Sequence, residues 1–244
     1  MTRSLFDLSG KIALVTGGSR GLGRQMVLAF AHAGADVIIA SRKLASCEQV
    51  AAEVRKTGRG ALAVSANASI WTEMERLTEV AYAEFGRVDI LVNNAGMSPA
   101  VPSHEIEEAL FDKIVSLNFK GPFRLAALIA QRMREGTGGS IINVSSTGAL
   151  IPLPNVVPYS AAKAALNAMT VSFAREYGPA VRVNAISAGP FLTDISEAWS
   201  EEERKSATNS LGALSLLAQA KGAFDEEFSR LVRDLVPQGR VRVP

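Results

Sequence analysis

The chain has 244 residues, of which 48% are hydrophobic and 20% charged, a composition that fits a folded protein with a sizeable core and excludes a disordered one. A formal net charge of +2 gives no indication of nucleic-acid binding, and no apolar run is long enough to span a membrane. A single cysteine excludes an internal disulfide and two histidines exclude a histidine-rich metal site, so we expect a cytoplasmic protein without a metal.

Short β-branched segments alternate along the chain with longer, alanine-rich helical patterns. Strands are predicted at 11–16, 36–40, 61–65, 88–92, 140–144 and 181–186. Helices are predicted at 21–33, 44–57, 69–84, 103–134 and 159–177, with Ser69 as the cap of the third. The strand segments are apolar at nearly every position, which is typical of strands buried on both faces of a parallel sheet. This order predicts one doubly wound α/β domain over residues 1–244, with ligands at the carboxyl ends of its strands.

The segment that joins the first strand to the first helix, "TGGSRGLG" at 16–23, is rich in glycine. It contains the G-x-S-x-G spacing of a hydrolase nucleophile elbow, but of the two downstream histidines only His104 fits comfortably as a base. A cradle for a dinucleotide phosphate fits better. Gly17 permits a tight turn, Gly21 allows close backbone approach and Gly23 lets the helix pack on the strand, with a purely structural turn as the alternative.

The end of the second strand, "ASRK" at 40–43, carries no carboxylate. An acidic residue at this position binds the ribose 2′-hydroxyl of NAD and repels a 2′-phosphate. Arg42 instead offers paired donors to a phosphate, and Arg20 in the glycine-rich segment is within reach of the same group. These residues favour NADP(H) over NAD(H), with an ordinary solvated loop as the alternative.

A second chemical signal lies in the last predicted helix, where Tyr159 and Lys163 share one face at the i, i+4 spacing. A nearby ammonium stabilises tyrosinate, so we expect a lowered pKa for Tyr159. Tyr159 is then a candidate general acid for a carbonyl oxygen that accepts a hydride, and a general base in the reverse direction.

Together with the glycine-rich segment, these motifs resemble the short-chain dehydrogenase/reductase family over residues 9–195. The motifs that carry the resemblance are "TGGSRGLG", "NNAG" at 93–96, "LNFKG" at 117–121, "INVSS" at 142–146, "YSAAK" at 159–163 and "RVNAISAGPFLTD" at 182–194. The resemblance implies a Rossmann-like sheet, hydride transfer between NADP(H) and a ketone or secondary alcohol, and a homodimer or homotetramer.

The resemblance also implies a catalytic tetrad of Asn118, Ser146, Tyr159 and Lys163. Tyr159 would donate the proton, Ser146 would stabilise the substrate oxygen, Lys163 would bind the nicotinamide ribose, and Asn118 would hold a relay water or, alternatively, bend its helix. Asn93 has a structural alternative too, which is to satisfy backbone groups between strands. The expected cofactor-binding residues are Gly17, Ser19, Arg20, Gly21, Leu22, Gly23, Ser41, Arg42, Asn67, Ala68, Asn93, Ala95, Gly96, Tyr159, Lys163, Gly189, Phe191 and Thr193.

The sequence departs from the family pattern at three places. Asn67 stands where the family often has an acidic residue that contacts adenine, and Ala188 where a proline is common. Residues 194–212 are predicted to form a substrate lid, and the segment 212–244 does not resemble the family's ending.

We expect a 3-oxoacyl thioester or a sugar or polyol as substrate. The alternative function is a catalytically weak, NADP-binding sensor or scaffold.

Overall fold

The computed structural model describes residues 7–189, all of which belong to one compact unit. The strands are β1 Ile12–Thr16, β2 Asp36–Ser41, β3 Ala61–Ser65, β4 Ile90–Asn93, β5 Gly139–Ser146 and β6 Val181–Ala188. The α-helices are α1 Gly21–His32, α2 Leu44–Arg55, α3 Trp71–Phe85, α4 Glu108–Val115, α5 Gly121–Glu135 and α6 Val157–Tyr177.

The six strands form one parallel sheet with the order β3-β2-β1-β4-β5-β6. Successive strand residues pack on opposite faces: Leu14 lies in the core beneath α3, α5 and α6, whereas Val15 lies in the core beneath α1 and α2. The predicted doubly wound α/β fold is therefore confirmed, with strand ends within two residues of their expected places.

The helix predicted over residues 103–134 is wrong in detail, because the structure divides it into several pieces. A 3₁₀ turn at Ser103–Glu105 precedes α4, and a π-helical turn at Ser116–Lys120 joins α4 to α5. A π turn adds one residue to the helical path, and such turns are frequent at functional sites.

The predicted cap at Ser69 is also wrong. Helix α3 begins at Trp71 after Ile70, without a side-chain cap. The Ser69 hydroxyl donates instead to Asn67 Oδ1 at 2.8 Å, and the Ser69 backbone N–H donates to the same oxygen at 3.2 Å. Asn67 thus forms the local turn that leads from β3 to α3.

Two buried amides join the middle of the sheet to α6. Asn93 on β4 pairs in register with Asn143 on β5, and its Nδ2 donates to Asn143 Oδ1 at 2.9 Å. Asn143 Nδ2 in turn donates to Thr170 Oγ1 on α6 at 2.9 Å. Asn93 is 2% exposed and Asn143 is fully buried, so these polar groups are satisfied entirely within the protein.

The strand order places a crevice beside the end of β1. From β1 the chain proceeds outward to β2 and β3, and then crosses back to β4 on the other side of β1. The connections that leave β1 and β4 therefore diverge at the carboxyl edge of the sheet, which is where ligands bind in open α/β folds.

Candidate active site

The glycine-rich loop at the end of β1 is shaped by positions that tolerate no side chain. A Cβ on Gly23 would lie 2.2 Å from the Gly17 carbonyl oxygen, and a Cβ on Gly17 would lie 2.9 Å from Asn94 Nδ2. Gly17 and Gly21 also have positive φ angles of 64° and 53°. Glycine is the residue that adopts such angles without strain, so the sequence permits this tight turn into α1.

Helix α1 begins at this loop without a capping side chain. Arg20 occupies the N-cap position with no side-chain cap hydrogen bond, and the first turn contains no acidic residue. The free N–H groups of a helix N-terminus, together with its positive dipole end, bind phosphate. The residues present thus fit the pyrophosphate of a dinucleotide.

The loop from β4 is fixed to the glycine-rich loop by Thr16. The Thr16 hydroxyl accepts hydrogen bonds from the backbone N–H groups of Asn94 at 3.0 Å and Ala95 at 3.2 Å. Asn94 Nδ2 donates to the carbonyl oxygens of Thr16 at 3.0 Å and Gly17 at 3.3 Å. Sequence analysis includes Thr16 in the glycine-rich segment but did not predict this role for its hydroxyl, although a polar residue that ends an apolar strand is a recognisable signal.

Asn93 is expected to line the cofactor cleft, but its side chain makes its contacts inside the protein. That side chain is buried and bonded to Asn143, as described above, and its Nδ2 also lies 3.5 Å from the Pro122 carbonyl oxygen. This geometry supports the structural alternative for Asn93. Ala95 and Gly96, further along the same loop, are only half-buried.

The end of β2 brings together three small polar side chains. Ser19 Oγ from the glycine-rich loop and Ser41 Oγ lie 2.8 Å apart, and Cys47 Sγ on α2 lies 3.3 Å from Ser41 Oγ. Burial raises the pKa of the Cys47 thiol, so Cys47 stays a neutral donor at neutral pH. Arg42 follows directly and its side chain is exposed.

The end of β3 packs closely against the start of α5. A Cβ on Gly121 would lie 1.6 Å from the Ala68 carbonyl oxygen, so only glycine fits at that position. The neighbouring Asn67 uses its side-chain oxygen for Ser69, and these contacts leave its Nδ2 donors for a ligand. This close contact is the steric reason for a glycine at the last position of the "LNFKG" motif.

Asn118 and Lys163 converge on Gly96. A Cβ on Gly96 would lie 2.8 Å from Asn118 Oδ1 and 3.7 Å from Lys163 Nζ. Asn118 is buried in the π-helical turn, where its Nδ2 donates to the carbonyl oxygens of Ile114 and Met97, each at 2.9 Å. Its Oδ1 accepts from the Met97 backbone N–H at 3.4 Å. The amide is thus largely engaged by backbone groups, which supports the helix-bending alternative.

Ser146 and Tyr159 meet at the end of β5. The Ser146 hydroxyl lies near enough to the Tyr159 hydroxyl to lower its pKa, and Ser146 Oγ accepts a hydrogen bond from the Gly148 backbone N–H at 3.0 Å. The neighbouring Ser145 points away from this pair, and its hydroxyl lies 3.4 Å from the Lys163 carbonyl oxygen. Sequence analysis missed the part played by Gly148, because a backbone donor leaves no side-chain signal.

The expected lowering of the Tyr159 pKa by Lys163 is wrong for this structure. Burial raises the pKa of the Tyr159 hydroxyl above its ordinary value, and the hydrogen bond from Ser146 opposes burial without reversing it. Lys163 Nζ lies 5.8 Å from the centroid of the Tyr159 ring and donates to the Val144 carbonyl oxygen at 2.7 Å. Burial also lowers the pKa of Lys163 from 10.5 to about 8.

Lys163 is expected to destabilise the fold at neutral pH, and this can be tested with Lys163→Met. A lysine whose pKa falls on folding costs stability below its folded pKa, and the cost disappears as pH rises toward the unfolded value. The stability of the wild type relative to Lys163→Met should therefore rise by about 1.4 kcal/mol per pH unit between pH ~8 and ~10.5. Urea unfolding of both proteins at pH 6–10 measures this slope. A difference that is constant with pH would contradict the buried, shifted lysine.

Some expected site residues lie beyond the described part of the chain. Phe191, Thr193, the predicted lid at 194–212 and the segment 212–244 are outside residues 7–189. Gly189 is the last described residue and is exposed at the end of β6. Within residues 7–189, no helix combines the length and apolar character needed to cross a bilayer. Over the same residues, no group of three or more His, Cys, Asp or Glu side chains could hold a metal ion.

The family model for short chain dehydrogenases matches residues 11–204, so the chain belongs to the short-chain dehydrogenase/reductase family. It is therefore an oxidoreductase of the kind that interconverts alcohols and ketones with a nicotinamide cofactor. It is similar to the short chain dehydrogenase/reductase astE of Aspergillus oryzae, with 36% identity over 81% of this chain and 77% of that protein.

Two further relatives extend the comparison. The hydroxynaphthalene reductase-like protein Arp2 of Metarhizium robertsii is 33% identical over 98% of this chain and 85% of its own length, so that similarity reaches into the segment 212–244. A 7α-hydroxysteroid dehydrogenase, solved with NADH and 7-oxo-glycochenodeoxycholic acid, superposes with a TM-score of 0.78 at 31% identity, covering 82% of this chain and 79% of that one.

Proposed function

We propose that this protein is an NADP(H)-dependent oxidoreductase that reduces a ketone, or oxidises the corresponding secondary alcohol, with Tyr159 as general acid and base. The observation that carries the proposal is the convergence of Ser146, Tyr159 and Lys163 at the carboxyl edge of the sheet, beside a loop that fits a dinucleotide pyrophosphate. The bound nicotinamide supplies or accepts the hydride.

In the proposed reduction, Tyr159 donates its proton to the carbonyl oxygen of the substrate. Its raised pKa keeps the hydroxyl protonated at neutral pH, which suits the reductive direction. Oxidation requires the deprotonated form, so its rate should rise with pH.

Ser146 stabilises the charge that develops on the same oxygen. Because Ser146 Oγ accepts the Gly148 N–H, its own proton is directed to the Tyr159 side of the site, where a substrate oxygen can accept it. The Ser146 hydroxyl is close enough to Tyr159 to lower its pKa, so the two hydroxyls lie on the same side of the site. A carbonyl oxygen there would meet two donors.

Lys163 and Asn118 support this arrangement. Lys163 Nζ has two further N–H donors beyond the one bonded to the Val144 carbonyl oxygen, and these suit the hydroxyls of a ribose. Asn118 holds the π-helical turn against Met97, and through Gly96 it adjoins Lys163. We assign Asn118 a positioning role on these contacts.

The preference for NADP(H) is proposed from the end of β2. No carboxylate follows Ser41, and the exposed Arg42 is a bidentate donor for a 2′-phosphate. The two hydroxyls of Ser19 and Ser41 lie beside it as further hydrogen-bonding groups. We also propose a cytoplasmic location and a homodimer or homotetramer, by analogy with the family.

Titration of the purified protein with NADPH and NADH tests the cofactor assignment. The wild type should bind NADPH more tightly, and Arg42→Asp should weaken NADPH binding by roughly 10- to 100-fold with little effect on NADH, because one charge-assisted phosphate contact becomes a repulsion. Arg182→Asp is the matched control. It makes the same charge change on β6, four strand spacings or about 19 Å from β2, beyond about two screening lengths.

The outcomes separate the alternatives. Equal affinity for NADH, or an equal effect of Arg182→Asp, would overturn the NADP(H) assignment but leave the family activity in place. Tight NADPH binding without reduction of any ketone in a substrate screen would favour the sensor or scaffold.

A further inference from the structure

The connection from Ser146 to Tyr159 is a loop that ends in the first turn of α6; its twelve residues are 147–158, of which Val157 and Pro158 belong to α6. Because both of its ends are proposed catalytic residues, this loop borders the place where the reacting carbonyl must lie. Its first turn touches the site directly: a Cβ on Gly148 would be 3.3 Å from Ser146 Oγ and 3.9 Å from Tyr159 Cε1.

This loop exposes large apolar side chains. Leu150 is 68% exposed, Ile151 40% and Val157 50%. Leu150 and Ile151 adjoin in the chain, and large exposed apolar patches on a protein mark ligand-binding grooves or interfaces. Their place in the chain, between two proposed catalytic residues, makes them the candidates for an apolar wall of the substrate site.

A second loop, residues 97–102, adjoins the first. The Val101 backbone N–H donates to the Asn155 carbonyl oxygen at 2.8 Å, and Asn155 has a positive φ of 61° that turns the first loop toward this contact. At its other end, Met97 is held by Asn118 through the hydrogen bond at 2.9 Å described above. We call the two segments, 97–102 and 147–158, the apolar lip.

The apolar lip offers few hydrogen-bonding side chains to a hydroxylated substrate. The chain has no Asp, Glu, Lys or Arg between Asp89 and Glu105, and none between Glu135 and Lys163. Of the lip's three polar side chains, Ser98 is buried, and Thr147 and Asn155 are half-buried. A hydroxyl group that leaves water without a new partner loses roughly 10-fold in affinity, so a polyol would be disfavoured at several positions at once.

We propose that the substrate is a ketone on a hydrocarbon skeleton, a ring or an acyl chain, and not a sugar or polyol. The apolar lip binds the carbon atoms beside the carbonyl, and Leu150 is covered by them. This inference rests on the proposed function, since it places the carbonyl at Ser146 and Tyr159.

The test compares two ketones, 2-decalone and L-xylulose, in steady-state assays of the full-length protein with NADPH. The wild type should have the higher kcat/KM for 2-decalone. Leu150→Asn should lower that value by roughly 10- to 100-fold, mainly through KM, because one large apolar contact is lost. Val171→Asn is the matched control, since Val171 is 54% exposed on α6 and outside the lip, and it should leave kcat/KM unchanged.

The outcomes distinguish the two proposals. Preference for L-xylulose, or equal effects of the Leu150 and Val171 variants, would overturn the substrate class while the oxidoreductase activity stands. A change in oligomeric mass of Leu150→Asn in light scattering, without a change in kcat/KM, would assign the lip to a subunit contact and overturn the inference. Reduction of neither ketone by protein that binds NADPH would overturn this inference, whereas the proposed function fails only when the full substrate screen finds no ketone that is reduced.

Discussion

Replacing Tyr159 with Phe is expected to lower the turnover number by roughly 10²- to 10⁴-fold, the range typical for loss of a general acid. The substitution removes one hydroxyl and keeps the buried ring, so the fold and the binding of NADPH should be unaffected. Single-turnover reduction of a ketone substrate, together with an NADPH titration, measures both quantities. The loss should appear in kcat and kcat/KM alike, because the proton is transferred only in the transition state.

The chain supplies its own controls, since it contains only three tyrosines. Tyr82→Phe and Tyr177→Phe make the same chemical change elsewhere, Tyr82 beneath Arg132 and Tyr177 beside Phe173. Both variants should keep wild-type turnover. Near-normal turnover in Tyr159→Phe, or an equal loss in the two controls, would refute Tyr159 as the proton donor.

Gly23→Ala is expected to weaken NADPH binding by roughly 10- to 100-fold, the effect of losing one hydrogen bond to a charged group when the phosphate-binding loop shifts. In an ordinary helix this substitution would stabilise the protein by about 1 kcal/mol. Here the sign reverses, because the new Cβ would lie 2.2 Å from the Gly17 carbonyl oxygen and 2.5 Å from Asn94 Nδ2. Overpacking of this kind lowers the free energy of unfolding by about 1–3 kcal/mol.

Gln25→Ala is the control for Gly23→Ala, because Gln25 is exposed two residues further along α1. It should bind NADPH as the wild type does and be as stable or slightly more stable. Urea unfolding and NADPH titration of both variants give the comparison. Unchanged affinity in Gly23→Ala would show that the glycine-rich loop does not shape the cofactor site.

The sequence was sufficient to predict the sheet because burial on both faces leaves a simple pattern. Strand β1 is apolar at four of its five positions and buried at all of them. The split of the predicted helix 103–134 was not predictable, because one extra residue in a π turn barely disturbs the apolar periodicity. The π turn is accompanied by the hydrogen bond between Asn118 and Met97. These residues are 21 positions apart in the sequence, so the local helix propensity gives no information about their contact.

The positions of the site residues were easier to predict from the sequence than the shifts of their pKa values. The i, i+4 spacing predicts that Tyr159 and Lys163 share a helix face, yet it does not reveal that Lys163 Nζ bonds to Val144. Burial, a tertiary property, then decides the direction of both pKa shifts. Likewise, the motif "INVSS" indicates Ser146 but not the backbone N–H of Gly148 that orients it.

The amide pair Asn93–Asn143 bears on how faithfully the chain folds. The pair is satisfied only when β4 and β5 align with these two residues opposite each other. A slip of one residue in either strand would move that strand's amide to the other face of the sheet and separate the pair, and each buried group left without a partner costs about 1–3 kcal/mol. Side chains that are uniformly apolar discriminate poorly between alternative registers of two parallel strands. The pair thus favours a single register of β4 against β5 during folding. That register fixes the position of Ser146 on β5 relative to the loop that follows β4 and ends at Gly96.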